Sequence, residues 1–155
     1  MAPFQFNLQP LLEIRERTED ERKREYAAGL GEHRRYLSAL RAAEAELQRS
    51  LQKMRANQVR TDPRAIEDAF AEVAYLRERA QRAQADVERS EQHVAELRDA
   101  LLEASKEKNV LEKLKERRRE AYLEARRLRE EEEIDDTNVI RTSNAATLRR
   151  EHENL

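Results

Sequence analysis

The sequence has no cysteine and no tryptophan, and only two glycines and three prolines among 155 residues. Without cysteine there is no disulfide framework, which is compatible with a reducing cytoplasm. Few glycines and prolines leave few places for the chain to turn. Aromatic residues make up 5% of the chain, too little for a sizeable spherical core of large side chains. No apolar run approaches the roughly 20 residues that span a bilayer. The start, residues 1–10, lacks the basic patch and apolar stretch of a secretory signal. Neither sign of charge dominates: 31 Lys and Arg stand against 33 Asp and Glu, a formal net charge of −2. The signs are mixed along the chain, so no basic face is set aside for phosphates and nucleic acid is not an expected partner. These absences describe a soluble, cytoplasmic protein.

What is present is charge, at 41% of residues, together with Ala, Leu, Glu, Lys and Arg. That is the composition of long helices and coiled coils. Heptads carry the pattern. In the first half the core positions fall at Tyr26, Leu30, His33, Leu37, Leu40, Glu44, Leu47, Leu51 and Met54, of which His33 and Glu44 are polar. In the second half they run Ile66, Ala69, Val73, Leu76, Ala80, Ala83, Val87, Ser90, Val94, Leu97, Leu101, Ala104, Lys108 and Leu111, broken by Ser90 and Lys108. A repeat of 3.5 residues held this long predicts a left-handed supercoil against another helix.

One strong break interrupts the pattern, Asn57-Gln58-Val59-Arg60-Thr61-Asp62-Pro63. Asp62 suits an N-cap and Pro63 the first helical position, where its missing N–H costs nothing. The fold class expected is all-α, a long antiparallel two-helix coiled-coil hairpin with unequal arms. It occupies residues 1–137, with helix 1 at about 8–58, a turn at 59–62 and helix 2 at about 63–133; residues 138–155 form a flexible tail. A turn centred near Arg60 pairs Met54 with Ile66, Leu51 with Ala69, Leu47 with Val73, Glu44 with Leu76, Leu40 with Ala80 and Leu37 with Ala83. Leu30 then meets Ser90 and Tyr26 meets Val94. Beyond Tyr26 the match decays, with Leu97, Leu101 and Ala104 facing Lys23, Glu19 and Glu16. At Lys108-Leu111-Leu114 the stripe slips and continues as Leu114, Ala121, Ala125 and Leu128. The end with both termini is therefore expected to be the looser one.

No catalytic constellation is visible. Gly29-Leu30-Gly31 lacks the strand, third glycine and basic residue of a phosphate loop, and reads as a soft point in a helix. His33, His93 and His152 lie far apart, and no Glu-x-x-His pair is present for a di-iron bundle. His33, Glu44 and Ser90 read as polar layers that help set register. Arg117-Arg118-Arg119 is flanked by Glu116 and Glu120 and reads as a solvated face, with a patch for an acidic partner as the other reading. No cofactor or metal is expected, and no enzymatic activity.

The N-terminal segment stands out. Phe4, Phe6, Leu8, Leu11, Leu12 and Ile14 crowd apolar side chains into a dozen residues with little to pack on in a hairpin. The run Phe4-Gln5-Phe6-Asn7-Leu8-Gln9-Pro10-Leu11-Leu12-Glu13-Ile14-Arg15 resembles the F-x-F-x-L-x-x-L-L-x-x-R opening of the FliJ family of flagellar type III export, whose injectisome counterparts are YscO-type proteins. Leu111-Glu112-Lys113-Leu114-Lys115-Glu116 leading to Tyr122, and Glu133-Ile134-Asp135-Asp136, are similar to later family segments. The resemblance spans about residues 1–137. The chain departs from it in offering only Phe70 and Tyr75 where relatives carry paired aromatics near the turn, and in its tail after Thr137.

The resemblance implies a non-enzymatic stalk and chaperone component of the flagellar or type III export apparatus. Such a protein binds the centre of the export ATPase hexamer and links it to the cytoplasmic domain of the export gate. It also handles export chaperones, and reaches the inner-membrane apparatus only through partners. Carried onto this chain, the ring contact falls to Phe4, Phe6, Leu8, Leu11, Leu12, Leu111, Leu114, Tyr122 and Leu128, and the gate contact to Phe70 and Tyr75. For the N-terminal residues a local cluster capping the hairpin is the competing reading; for Phe70 and Tyr75 it is ordinary flanking packing. A generic self-associating coiled-coil scaffold is the alternative function.

Overall fold

A computed structural model describes residues 2–56 and 62–153. It contains two helices, α1 (Gln9–Ala56) and α2 (Pro63–Glu153), and no strand among the described residues. The architecture is the expected all-α pairing of two long helices. The expected turn at 59–62 lies, apart from Asp62, outside the described residues. At its edge the Arg64 N–H donates to Asp62 Oδ1 at 3.2 Å, and the Ile66 N–H donates to the Asp62 carbonyl at 3.2 Å. Asp62 is thus the N-cap and Pro63 the first helical residue, as the local chemistry requires. α1 begins where Pro10 permits. Extended backwards, the helix would drive the proline ring into the Phe6 carbonyl. That carbonyl instead accepts the Gln9 N–H at 3.0 Å in a turn.

The chain divides into two compact units, Ile14–Glu107 and Met1–Glu13 with Lys108–Leu155. In the first, α1 and α2 run antiparallel and pack along their heptad stripes. Val73, Leu76, Val87 and Ala104 are buried, and Leu37, Leu40, Leu47, Leu51, Met54, Ala69, Ala80, Ala83, Val94, Leu97 and Leu101 are half-buried. Arg79 to Glu46 at 2.8 Å and Arg15 to Glu107 at 2.6 Å tie the helices across the solvated flanks. Both pairs are well exposed, so each contributes at most about 1 kcal/mol.

The register differs from the expectation. Ser90 lies against His33, not Leu30, an offset of three residues along α1. His33 Nδ1 is 2.7 Å from Ser90 Oγ, and the Ser90 hydroxyl donates to the Val87 carbonyl at 2.8 Å. Since that proton is committed to Val87, His33 Nδ1–H is the donor in the cross-helix bond. Two polar interruptions, one in each stripe, therefore answer each other. The same offset moves Met54 away from Ile66, which is exposed. Leu97 does not face Lys23, which is exposed, but packs on the backbone of Gly29.

Glu44 does not form a polar layer. It is exposed, and Ala43 and Ser50 are buried instead, beside half-buried Leu47 and Leu51. Removing a carboxylate from water costs several kcal/mol without a partner. A small rotation of α1 turns Ala43 inward and returns Glu44 to solvent. Glu19 is the contrasting case: it is 5% exposed, with Lys23 Nζ at 2.9 Å from its carboxylate.

α2 also differs at its far end. It continues through Glu153, past residue 133 where the heptad pattern places its end, and residues 123–153 are exposed throughout. After Pro63 the sequence contains no glycine or proline to stop it. Ion pairs of Arg126 with Glu130 at 2.9 Å and Arg127 with Glu124 at 2.8 Å and Glu131 at 3.5 Å support this stretch. Such pairs, one helical turn apart on an exposed face, support the helix only weakly. The hydrogen bond and charge of Glu130 on Arg126, and of Glu124 on Arg127, raise both guanidinium pKa values further above the usual range. The hydroxyls of Thr137, Thr142 and Thr147 donate to the carbonyls of Glu133, Asn138 and Ser143, which satisfies them on the helix itself.

Replacing Gly31 by Ala, where an added Cβ meets nothing within 4 Å, stabilises α1 by about 1 kcal/mol in urea unfolding. Gly29→Ala gains clearly less, because its Cβ lands 2.5 Å from Leu97 Cδ1 and displaces that methyl. A double-mutant cycle on His33→Ala and Ser90→Ala yields a coupling of about 0.5–1.5 kcal/mol, the size of one hydrogen bond. Additivity of the two single changes contradicts the polar layer.

Candidate functional site

The second unit gathers the N-terminal segment onto α2. Residues 2–6 are neither helix nor strand, Asn7 and Leu8 form a turn, and α1 follows. The Phe4 ring lies against Tyr122 with centroids 5.7 Å apart and planes tilted by 47°. The Tyr122 hydroxyl donates to the Ala2 carbonyl. Arg118 sits over the Phe6 ring, 5.6 Å from its centroid, and donates from Nη1 to Asn7 Oδ1. Lys115 Nζ donates to Gln9 Oε1 at 2.8 Å. Tilted ring pairs and cation–π contacts each contribute about 0.5–1.5 kcal/mol.

These contacts settle how α2 continues past Leu111. The stripe does not slip to Leu114, Ala121, Ala125 and Leu128. Ala121, Ala125 and Leu128 are exposed, although Leu114 is half-buried. Instead the 3.5-residue repeat runs on through Leu111, Lys115, Arg118 and Tyr122, steps of four, three and four that share one helix face. The partner on that face is aromatic segment rather than helix, so cations serve where aliphatic residues are expected. Arg118, one of the run Arg117-Arg118-Arg119, is therefore engaged with Phe6 and Asn7 as well as solvated. The signal that locates it is its heptad phase with Leu111 and Tyr122.

The residues expected to contact a ring divide sharply. Phe6 is 7% and Leu12 2% exposed, so both serve the cluster itself. Phe4, Leu8, Leu111, Leu114 and Tyr122 are half-buried, and Leu11 and Leu128 present open apolar surface. Leu12 enters because it lies one helical turn beyond Leu8, whose carbonyl accepts its N–H at 2.9 Å. Leu11 is rotated outward. Along α2 the exposed apolar surface continues through Leu123, Ile134, Val139, Ile140 and Leu148. In the other unit Phe70 and Tyr75 are exposed at 59% and 64% and pack little. Among the described residues no three His, Cys, Asp or Glu side chains gather to hold a metal ion. No described helix is long and apolar enough to cross a membrane. The hollows along the helices are open grooves, such as that between Arg41, Glu44, Gln48, Arg77, Gln81 and Gln84.

The adjacent leucines give a direct check. Leu12→Ala is expected to cost about 2–4 kcal/mol of stability and Leu11→Ala less than about 1 kcal/mol, measured by urea unfolding. Equal costs contradict the cluster as described.

Comparison with curated proteins and with solved structures returns no match. The family model described as flagellar FliJ protein matches residues 4–147, from the Phe4 ring that meets Tyr122 to beyond the acidic stretch of α2. The chain therefore belongs to the FliJ family, and with it to the components related to flagellar protein export.

Proposed function

We propose that this protein is a stalk of the export apparatus, binding the centre of the export ATPase hexamer through its Met1–Glu13 and Lys108–Leu155 unit and linking that ring to the cytoplasmic domain of the export gate. The observation that carries this reading is the family match over nearly the whole chain. The chemistry of the unit supports it. A side chain inserted into a ring needs apolar surface that its own fold leaves unused, and Leu11, Leu128, Ile134 and Leu148 supply it. Leu12 acts indirectly, by holding the first turns of α1 that present Leu11. At the other contact, exposed Phe70 and Tyr75 are the groups proposed to meet the gate, since large aromatics give the most binding energy per residue when covered. Export chaperones are further proposed partners. The protein would then reach the inner-membrane apparatus from the cytoplasm, through these partners.

The test uses the cognate ATPase and changes exposed residues, so that folding is not the variable. Leu11→Asp with Leu128→Asp is expected to lower ATPase affinity by at least about tenfold while the helical circular-dichroism signal is kept. Retained affinity removes these side chains from the contact. Absence of binding by the unaltered protein removes the stalk reading, and a concentration-dependent mass in solution then points to the self-associating scaffold.

A further inference from the structure

The N-terminal segment is attached in a way that allows it to leave. Pro10 prevents α1 from extending back through Phe6, so residues 2–8 add no turn to the helix. Its attachments to α2 are side-chain contacts: Tyr122 to the Ala2 carbonyl and the Phe4 ring, and Arg118 to Phe6 and Asn7. Gln9, at the first position of α1, adds its bond from Lys115. Of residues 2–8 only Phe6 is buried; Ala2, Pro3, Gln5 and Asn7 are exposed and Phe4 and Leu8 half-buried. Swinging the segment about the Asn7–Leu8 turn therefore breaks the single turn bond from Gln9 to Phe6 but no helical ladder, and leaves Leu12 in place.

We propose that residues 2–8 form an intramolecular latch on the Lys115–Arg118–Tyr122 face of α2, closed in the free protein and displaced when that face meets the export ATPase. This rests on the stalk reading above. The closed latch supplies that face with two aromatic rings, a side-chain amide oxygen and a backbone carbonyl. A competing surface must offer the same chemistry, apolar or aromatic groups beside carbonyl or carboxylate acceptors, to the Arg118 guanidinium and the Tyr122 phenol that the latch releases. Opening creates two surfaces at once, the α2 face and the freed Phe4 and Phe6. A ligand that binds only the open form shifts the population by its differential affinity, and its apparent affinity is the intrinsic one multiplied by the open fraction.

The chain has no cysteine, so an introduced pair is unique. In Asn7→Cys/Arg118→Cys, both at exposed positions, a short bismaleimide cleavable by reductant holds the latch shut. Binding to the ATPase is expected to fall at least about tenfold on cross-linking, relative to the same variant before cross-linking, and to return on cleavage. Unchanged binding when cross-linked overturns the latch. A second measurement needs no ATPase. Spin labels at Gln5→Cys and Glu120→Cys are expected to report a short and a long distance, the long one enriched by Tyr122→Phe, which removes the bond to Ala2. A single distance indifferent to Tyr122→Phe overturns the latch whatever the ATPase does. If no form binds the ATPase but the long distance responds to Tyr122→Phe, the latch stands and the stalk reading falls.

Discussion

Two helices with repeating apolar stripes are free to slide past one another, because a layer of Leu, Val and Ala accepts most other such layers. The constraint that stops sliding in the Ile14–Glu107 unit is the bond from His33 to Ser90. Shift the helices by one step and His33 loses its partner, while Ser90 meets a leucine. Ser90 keeps its bond to Val87, but the half-buried imidazole loses about one hydrogen bond, enough to outweigh small differences in packing area. The proton sequence, His33 Nδ1–H to Ser90 Oγ and Ser90 O–H to the Val87 carbonyl, leaves no donor in this layer unused. This is the role a single polar core position plays in other coiled coils, selecting one register at a modest cost in stability.

Other features follow once that layer is set. Gly29 stands between Val94 and Leu97, where the missing Cβ admits the Leu97 methyl group. What the motif Gly29-Leu30-Gly31 contributes is thus a close approach at one glycine and nothing comparable at the other, since Gly31 faces open space. The two glycines do different things two residues apart. Ala43 and Ser50 turn inward and Glu44 outward, because α1 lowers its energy by rotating a carboxylate into water.

The fold was legible because its signals are local. Heptads identify both helices, and Asp62-Pro63 marks the start of α2 by chemistry that hardly depends on context. The pairing offset was not legible from helix rise alone. The two polar interruptions, His33 and Ser90, contained the answer, but read stripe by stripe they look like two separate defects. Their significance appears only when each is asked to satisfy the other. The continuation of α2 to Glu153 was obscured for a different reason. Its Thr, Ser and Asn residues resemble a loop in composition, yet Thr137, Thr142 and Thr147 bond back to their own helix and no breaker follows.

The candidate site was half legible, and the missing half is a matter of what counts as a seam residue. Phe4, Phe6, Leu8, Leu11 and Leu12 read as one apolar patch, but burial of Phe6 and Leu12 and exposure of Leu11 split them by helix geometry. On α2 the search for aliphatic positions leads to Leu114, Ala121 and Leu128 and away from Lys115 and Arg118. That search assumes a helical partner, for which a cation in the seam is unfavourable. An aromatic, irregular segment reverses the preference: ring faces attract guanidinium, and turns offer amide and carbonyl oxygens that helices keep for themselves. The arginine over Phe6 is therefore a seam residue for this partner, and the lysine bonds the Gln9 side chain where the segment passes into α1. The heptad on α2 is unbroken; only the chemistry it must match has changed.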